Sequence, residues 1–128
     1  MLHRDEVILL KILSEINIAL EMIKDVTFEF FNSDEILKRA ACMTVINIGE
    51  LVKSLSVEFR QTNSQIPWKS IAGFRDIAAH KYQTLHMEDV YHTIISDFPV
   101  LENNIKSISV RVIFNYLLTS GLSVRSRR

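Results

Sequence analysis

The stretch "SDEILKRAACMTVINIGELVKSLSVEFR", Ser33–Arg60, decides the fold. Leu37, Ala41, Thr44, Ile48, Val52, Leu55 and Phe59 step by threes and fours, the spacing that lines side chains along one face of an α-helix. Ser33 stands as an N-cap, and Asp34 and Glu35 follow in the first turn, where carboxylates face the positive end of the helix dipole. The spacing therefore predicts one helix to about Arg60, roughly seven turns long. Gly49 lies inside it. Glycine there costs about 1 kcal/mol relative to alanine, and the compensation expected is close approach of another helix.

Upstream, Leu9, Leu13, Ile16, Leu20 and Ile23 mark a first helix from about Arg4 to Glu29. A second set, Ile12, Ala19 and Val26, repeats every seven residues on another side, an apolar surface wider than one neighbour buries, which points to a partner chain. The short break at Asn32 and Ser33 turns the two helices into an antiparallel hairpin. Downstream, "RQTNSQIP" is a loop, and Pro67 opens a third helix that runs to His80 with Trp68, Ile71, Ala72, Phe74 and Ile77. After a polar break over Lys81–His86, a fourth helix carries Val90, Ile94, Phe98, Leu101, Ile105 and Ile108, with a kink expected at Pro99. The expectation is an all-α protein, an up-and-down four-helix bundle over residues 1–108. Residues 109–128 form a C-terminal extension or tail, open between a weak helix, a strand-like arm and disorder, and no chemistry is assigned to it.

Composition narrows the function classes. Hydrophobic residues make up 48% of the chain with 3 Gly and 2 Pro, which suits a packed helical domain. Fifteen basic and fifteen acidic residues cancel, so any contact with nucleic acid has to come from a local patch. The lone Cys42 has no internal disulfide partner and reads as a core thiol in a reducing cytoplasm. Asp5, Glu6, Lys11 and Glu15 interrupt the apolar amino terminus, and no apolar run approaches the roughly 18 to 20 residues of a membrane span, so a cytoplasmic protein without a membrane partner is expected.

The stretch with chemistry is "GFRDIAAHKYQTLH", Gly73–His86. On a regular helix Asp76 and His80 share a side, as do Arg75 and Tyr82, whereas Arg75 and His80 stand about 140° apart. One straight helix cannot aim both at one atom. Either the helix ends at His80 or two chains combine their residues, and solvated charges at a helix end remain the plain alternative. His80, His86 and His92, at steps of six, lack the i, i+4 spacing of a zinc-binding helix. No Gly-rich phosphate loop or Ser-His-Asp signature is present.

"IPWKSIAGFRDIAAHKY", the following "MEDVYHTIISDFPVLENNI" and "INIGELVKSLS" together resemble the HepT-like branch of the HEPN superfamily, over about Leu9–Ile108. The family motif is an arginine, a polar residue, a histidine after four intervening positions and a tyrosine two further on. Arg75, Asp76, His80 and Tyr82 fill it in order, with Asp76 where asparagine is frequent. The resemblance implies a metal-independent endoribonuclease without a cofactor, the toxin of a type VII-like toxin–antitoxin pair, cleaving RNA at a site on a two-fold homodimer interface. His80 would take the proton of a ribose 2'-hydroxyl and Arg75 would neutralise the phosphate. Asp76 would support the imidazole, and Tyr82 would accept AMP from a nucleotidyltransferase antitoxin. The competing class is a non-catalytic helical subunit that binds a nucleotidyltransferase or nucleotide.

Overall fold

In the computed structural model, which describes residues 1–108 and 110–119, regular structure is helical throughout and contains no strand. Helix α1 (His3–Ile23) is the central rod, in contact with α3 (Glu35–Ser54), α7 (Phe98–Ile108) and α8 (Val110–Thr119). Ile12 and Ala19 are therefore fully buried within the chain, alongside Leu9, Leu13 and Ile16. The two residues of the second apolar set that lie in α1 are thus covered within the chain, α1 meeting α7, α8 and the turn before α7, while Val26 lies beyond the end of α1 and is half-buried.

The long helices break where side chains offer caps. The predicted first helix ends at Ile23; Asp25 takes a left-handed φ of 59°, and Thr27 accepts the Phe30 N–H to start α2 (Phe28–Ser33). Ser33 is not the cap of α3. Asp34 fills that role, its carboxylate accepting the Leu37 N–H at 3.0 Å, while the Ser33 hydroxyl donates back to the Phe30 carbonyl. Nor does α3 continue to Arg60. It stops at Ser54, and Ser56 caps a separate α4 (Val57–Thr62). The cause is tertiary: the buried Asp5 carboxylate of α1 accepts both the Ser56 N–H at 2.8 Å and the Ser56 hydroxyl at 2.7 Å.

Helix α5 (Trp68–His80) agrees with the expected third helix and packs along α3. A 3-10 turn at Tyr82–Thr84 occupies the polar break. The fourth helix is divided into α6 (Met87–His92), a π-helical turn (Thr93–Asp97) and α7. That irregularity precedes Pro99, whose missing N–H and ring disfavour the regular turn reaching back four residues. Of the alternatives for the C-terminal extension, Val110–Thr119 is a helix, with Val112 and Tyr116 buried and Asn115 donating to the buried Glu6 at 2.8 Å; residues 120–128 lie outside the described part. No helix among the described residues is long and apolar enough to cross a membrane.

Candidate active site

Arg75 lies where α5 passes directly over Gly49 of α3. A Cβ on Gly49 would overlap the Arg75 Cβ and lie 2.7 Å from its Cγ, so the bare glycine backbone is what lets the arginine stem rest against α3. One residue on, the Glu50 carboxylate forms an ion pair with the Arg75 Nε. The other edge of the guanidinium donates from Nη1 to Asp76 at 2.9 Å, and the Lys53 Nζ reaches the same Asp76 oxygen at 3.5 Å. The hydrogen bond from Arg75, followed by the field of Lys53, holds the exposed Asp76 carboxyl below the usual carboxylate range. Two carboxylates thus hold the motif arginine, and with Lys53 the four charges balance.

His80 is the last residue of α5 and is exposed. Among the described residues no hydrogen bond joins it to Asp76, whose carboxylate is engaged by Arg75 and Lys53 instead. Arg75 and His80 lie on one continuous helix, so the angular separation expected from sequence is retained.

Tyr82 does not share a face with Arg75. The helix ends before it, Lys81 leaves helical geometry at φ −131°, and the Tyr82 ring turns to the other end of α3, where the Arg39 guanidinium lies 5.0 Å from the ring centroid. Burial pushes the Tyr82 phenol up from its ordinary value, and the Glu35 carboxylate acts in the same direction. Arg39 and Glu50 are eleven positions apart on α3, about 16 Å along the axis at 1.5 Å per residue. The motif therefore stretches along the α3–α5 seam, with Arg75 and Asp76 at its middle and Tyr82 at its end.

The sequence signalled Gly49 through its cost in a helix interior. Glu50 follows it in the "IGE" segment that carries part of the family resemblance, whereas Lys53 and Arg39 gave no signal of their own, since charged residues at helical spacing are ordinary on a solvated face. Among the described residues no three His, Cys, Asp or Glu side chains converge as a metal site, His86 and His92 included.

The chain is similar to known proteins over most of its length. A family model described as ribonuclease HepT-like matches residues 12–108. A protein of Caldanaerobacter subterraneus subsp. tengcongensis, named as a candidate RNase, is 40% identical over 97 residues, covering 76% of this chain and 87% of the relative. A candidate RNase of Methanocaldococcus jannaschii is 32% identical over 97 residues, 76% of this chain and 78% of that protein. A protein of Thermococcus cleftensis, named as a candidate ribonuclease HepT, is 28% identical over 100 residues, 75% and 91% of the two chains. No solved structure gives a significant match. The matched region holds the whole α3–α5 seam, from Asp34, which caps α3, to Tyr82, and the chain belongs to the HepT-like ribonuclease family.

Proposed function

We propose that this chain is a metal-independent endoribonuclease, the toxin of a type VII-like toxin–antitoxin pair. The observation that carries the reading is Arg75, seated on Gly49 and held by Glu50 and Asp76, on the helix that ends in the exposed His80. His80 takes the proton of a ribose 2'-hydroxyl, for about a 100- to 10,000-fold gain in rate. The 2'-oxygen then attacks phosphorus, the bond to the 5'-oxygen breaks to leave a 2',3'-cyclic phosphate, and the departing oxygen takes a proton from water. Arg75 offsets the charge that builds on the phosphoryl oxygens. Asp76 supports the site by orienting Arg75, and Tyr82 is the acceptor of AMP from a nucleotidyltransferase antitoxin.

Because Arg75 and His80 diverge on one helix, the working unit is a homodimer in which two chains complete each site. With the α1 face buried, the supporting surface is the one beside α5. Exposed Ile77 and Val100 flank adjoining clefts that share Phe74, Thr93 and Asp97, and His80 lies one turn beyond Ile77. Each protomer is an up-and-down four-helix bundle over residues 1–108, and 109–128 is an extension to it.

The test is degradation of total or transfer RNA in EDTA by the wild type, Arg75→Ala and His80→Ala, with circular dichroism as the folding control. Both variants are expected to fold and to lose cleavage. Full cleavage by His80→Ala would overturn the site. Cleavage abolished in the wild type by EDTA would overturn metal independence, and an active monomer would overturn the shared site.

A further inference from the structure

A chain with zero net charge has to hold RNA through local charge. Around Arg75 the cations are already matched, since Glu50 and Asp76 face Arg75 and Lys53. The far end of the seam is different. Lys38 and Arg39 share a single carboxylate, that of Glu35, with Lys38 Nζ at 3.3 Å from one oxygen and Arg39 Nη2 at 3.1 Å from the other. Two cations share one acid there, with the Asp34 carboxylate capping the same helix, and the exposed Lys81 and His80 immediately precede Tyr82 in the chain.

Arg39 is the member of this group that solvent reaches: its side chain is 61% exposed and that of Lys38 20%. The Arg39 guanidinium also covers one face of the Tyr82 ring. A nucleobase cannot stack on a ring face already occupied by a guanidinium. The same guanidinium carries five N–H donors in a planar fork suited to phosphate oxygens. The chemistry on that face of Tyr82 is therefore that of a phosphate site.

We infer that Arg39, with Lys38 beside it, forms a subsite for a backbone phosphate of the RNA flanking the bond on which Arg75 and His80 act, and that Arg39 positions Tyr82 there. Glu35 is the counter-charge that limits the strength of this subsite. The inference rests on the ribonuclease reading, and it assigns α3 a role outside the arginine–histidine–tyrosine motif.

The experiment follows binding of a fluorescein-labelled single-stranded RNA of about 20 nucleotides to the full chain carrying His80→Ala, from about 50 to about 200 mM KCl. Arg39→Ala should weaken binding roughly fivefold and reduce the slope of log affinity against log salt by about 0.7, one single-strand phosphate contact. Arg39→Lys should keep the salt slope, because it keeps the charge. Glu35→Gln should act with the opposite sign and tighten binding, because it frees the two cations. Lys69→Ala is the control for general loss of charge, eleven residues and about 16 Å from His80 along α5. In the active chain, Arg39→Ala should raise KM with kcat little changed, and circular dichroism should show all variants folded. RNA binding with an unchanged affinity and salt slope in Arg39→Ala, or weakened binding in Glu35→Gln, overturns the subsite and leaves the ribonuclease reading standing. Absence of RNA binding in every variant overturns that reading itself, and the subsite with it.

Discussion

Replacing Gly49 and Gly73 by alanine should move stability in opposite directions, although both are interior helix positions without a positive φ. In either helix the exchange recovers about 1 kcal/mol of helix propensity. At Gly73 an added methyl meets no atom within 4 Å, so the whole gain should be realised. At Gly49 the methyl overlaps the Arg75 Cβ, which is too near the α5 backbone to swing aside. The helices must separate or α5 must shift, at the cost of about 1 to 3 kcal/mol typical of an overfilled contact. Net of the propensity gain, Gly49→Ala should be destabilised by about 0 to 2 kcal/mol while Gly73→Ala gains about 1. For 128 residues each kcal/mol corresponds to about 4 °C, so the two melting temperatures should differ by about 4 to 12 °C. Thermal melts by circular dichroism read the difference directly. RNA cleavage should fall in Gly49→Ala, because Arg75 is carried away from Glu50, and persist in Gly73→Ala. Arg75→Ala should not rescue the stability of Gly49→Ala, since alanine keeps the overlapping Cβ. A Gly49→Ala protein that melts as high as Gly73→Ala would refute the idea that the glycine exists to admit the arginine.

Incubation with the nucleotidyltransferase antitoxin and ATP should place AMP on Tyr82, read by mass spectrometry. The Tyr91 hydroxyl is engaged with the Val26 carbonyl at 2.6 Å and Tyr116 is buried, so modification confined to either would contradict the assignment. Asp5→Ala strips a buried acceptor from the Ser56 N–H and hydroxyl and should cost about 1 to 3 kcal/mol in urea unfolding; an unchanged midpoint would sink this account of the break between α3 and α4. Cys42 is buried, and desolvation raises its thiol from 9.0 to about 11, so it should resist Ellman's reagent at pH near 8 until the chain unfolds. Because the folded value is the higher one, its contribution to stability is full below pH 9.0 and is lost as pH climbs through about 11. Rapid labelling of the native protein would contradict this.

Periodicity alone identified the all-α class and most of the core, because spacing by threes and fours reports which side chains face inward whatever they face. It also located α5 and the need for a close helix contact at Gly49, since the cost of glycine is local. The motif residues themselves could be read from the chain, but not their neighbours. What ends a helix or covers a face is settled by residues distant in sequence. Asp5 splits α3 from α4 across 51 positions, and α7 and α8 cover the face of α1 that by itself suggests a second chain. Side-chain direction follows the same rule: Tyr82 belongs with Arg39 and Arg75 with Glu50 because α5 ends at His80 and lies along α3, a pairing of surfaces that sequence spacing within one helix does not encode. Local periodicity determined the helical class and the inward faces, and only the packing of one helix against another decided where the helices end and which charges meet, because charge pairing depends on distances of a few ångströms between segments far apart in the chain.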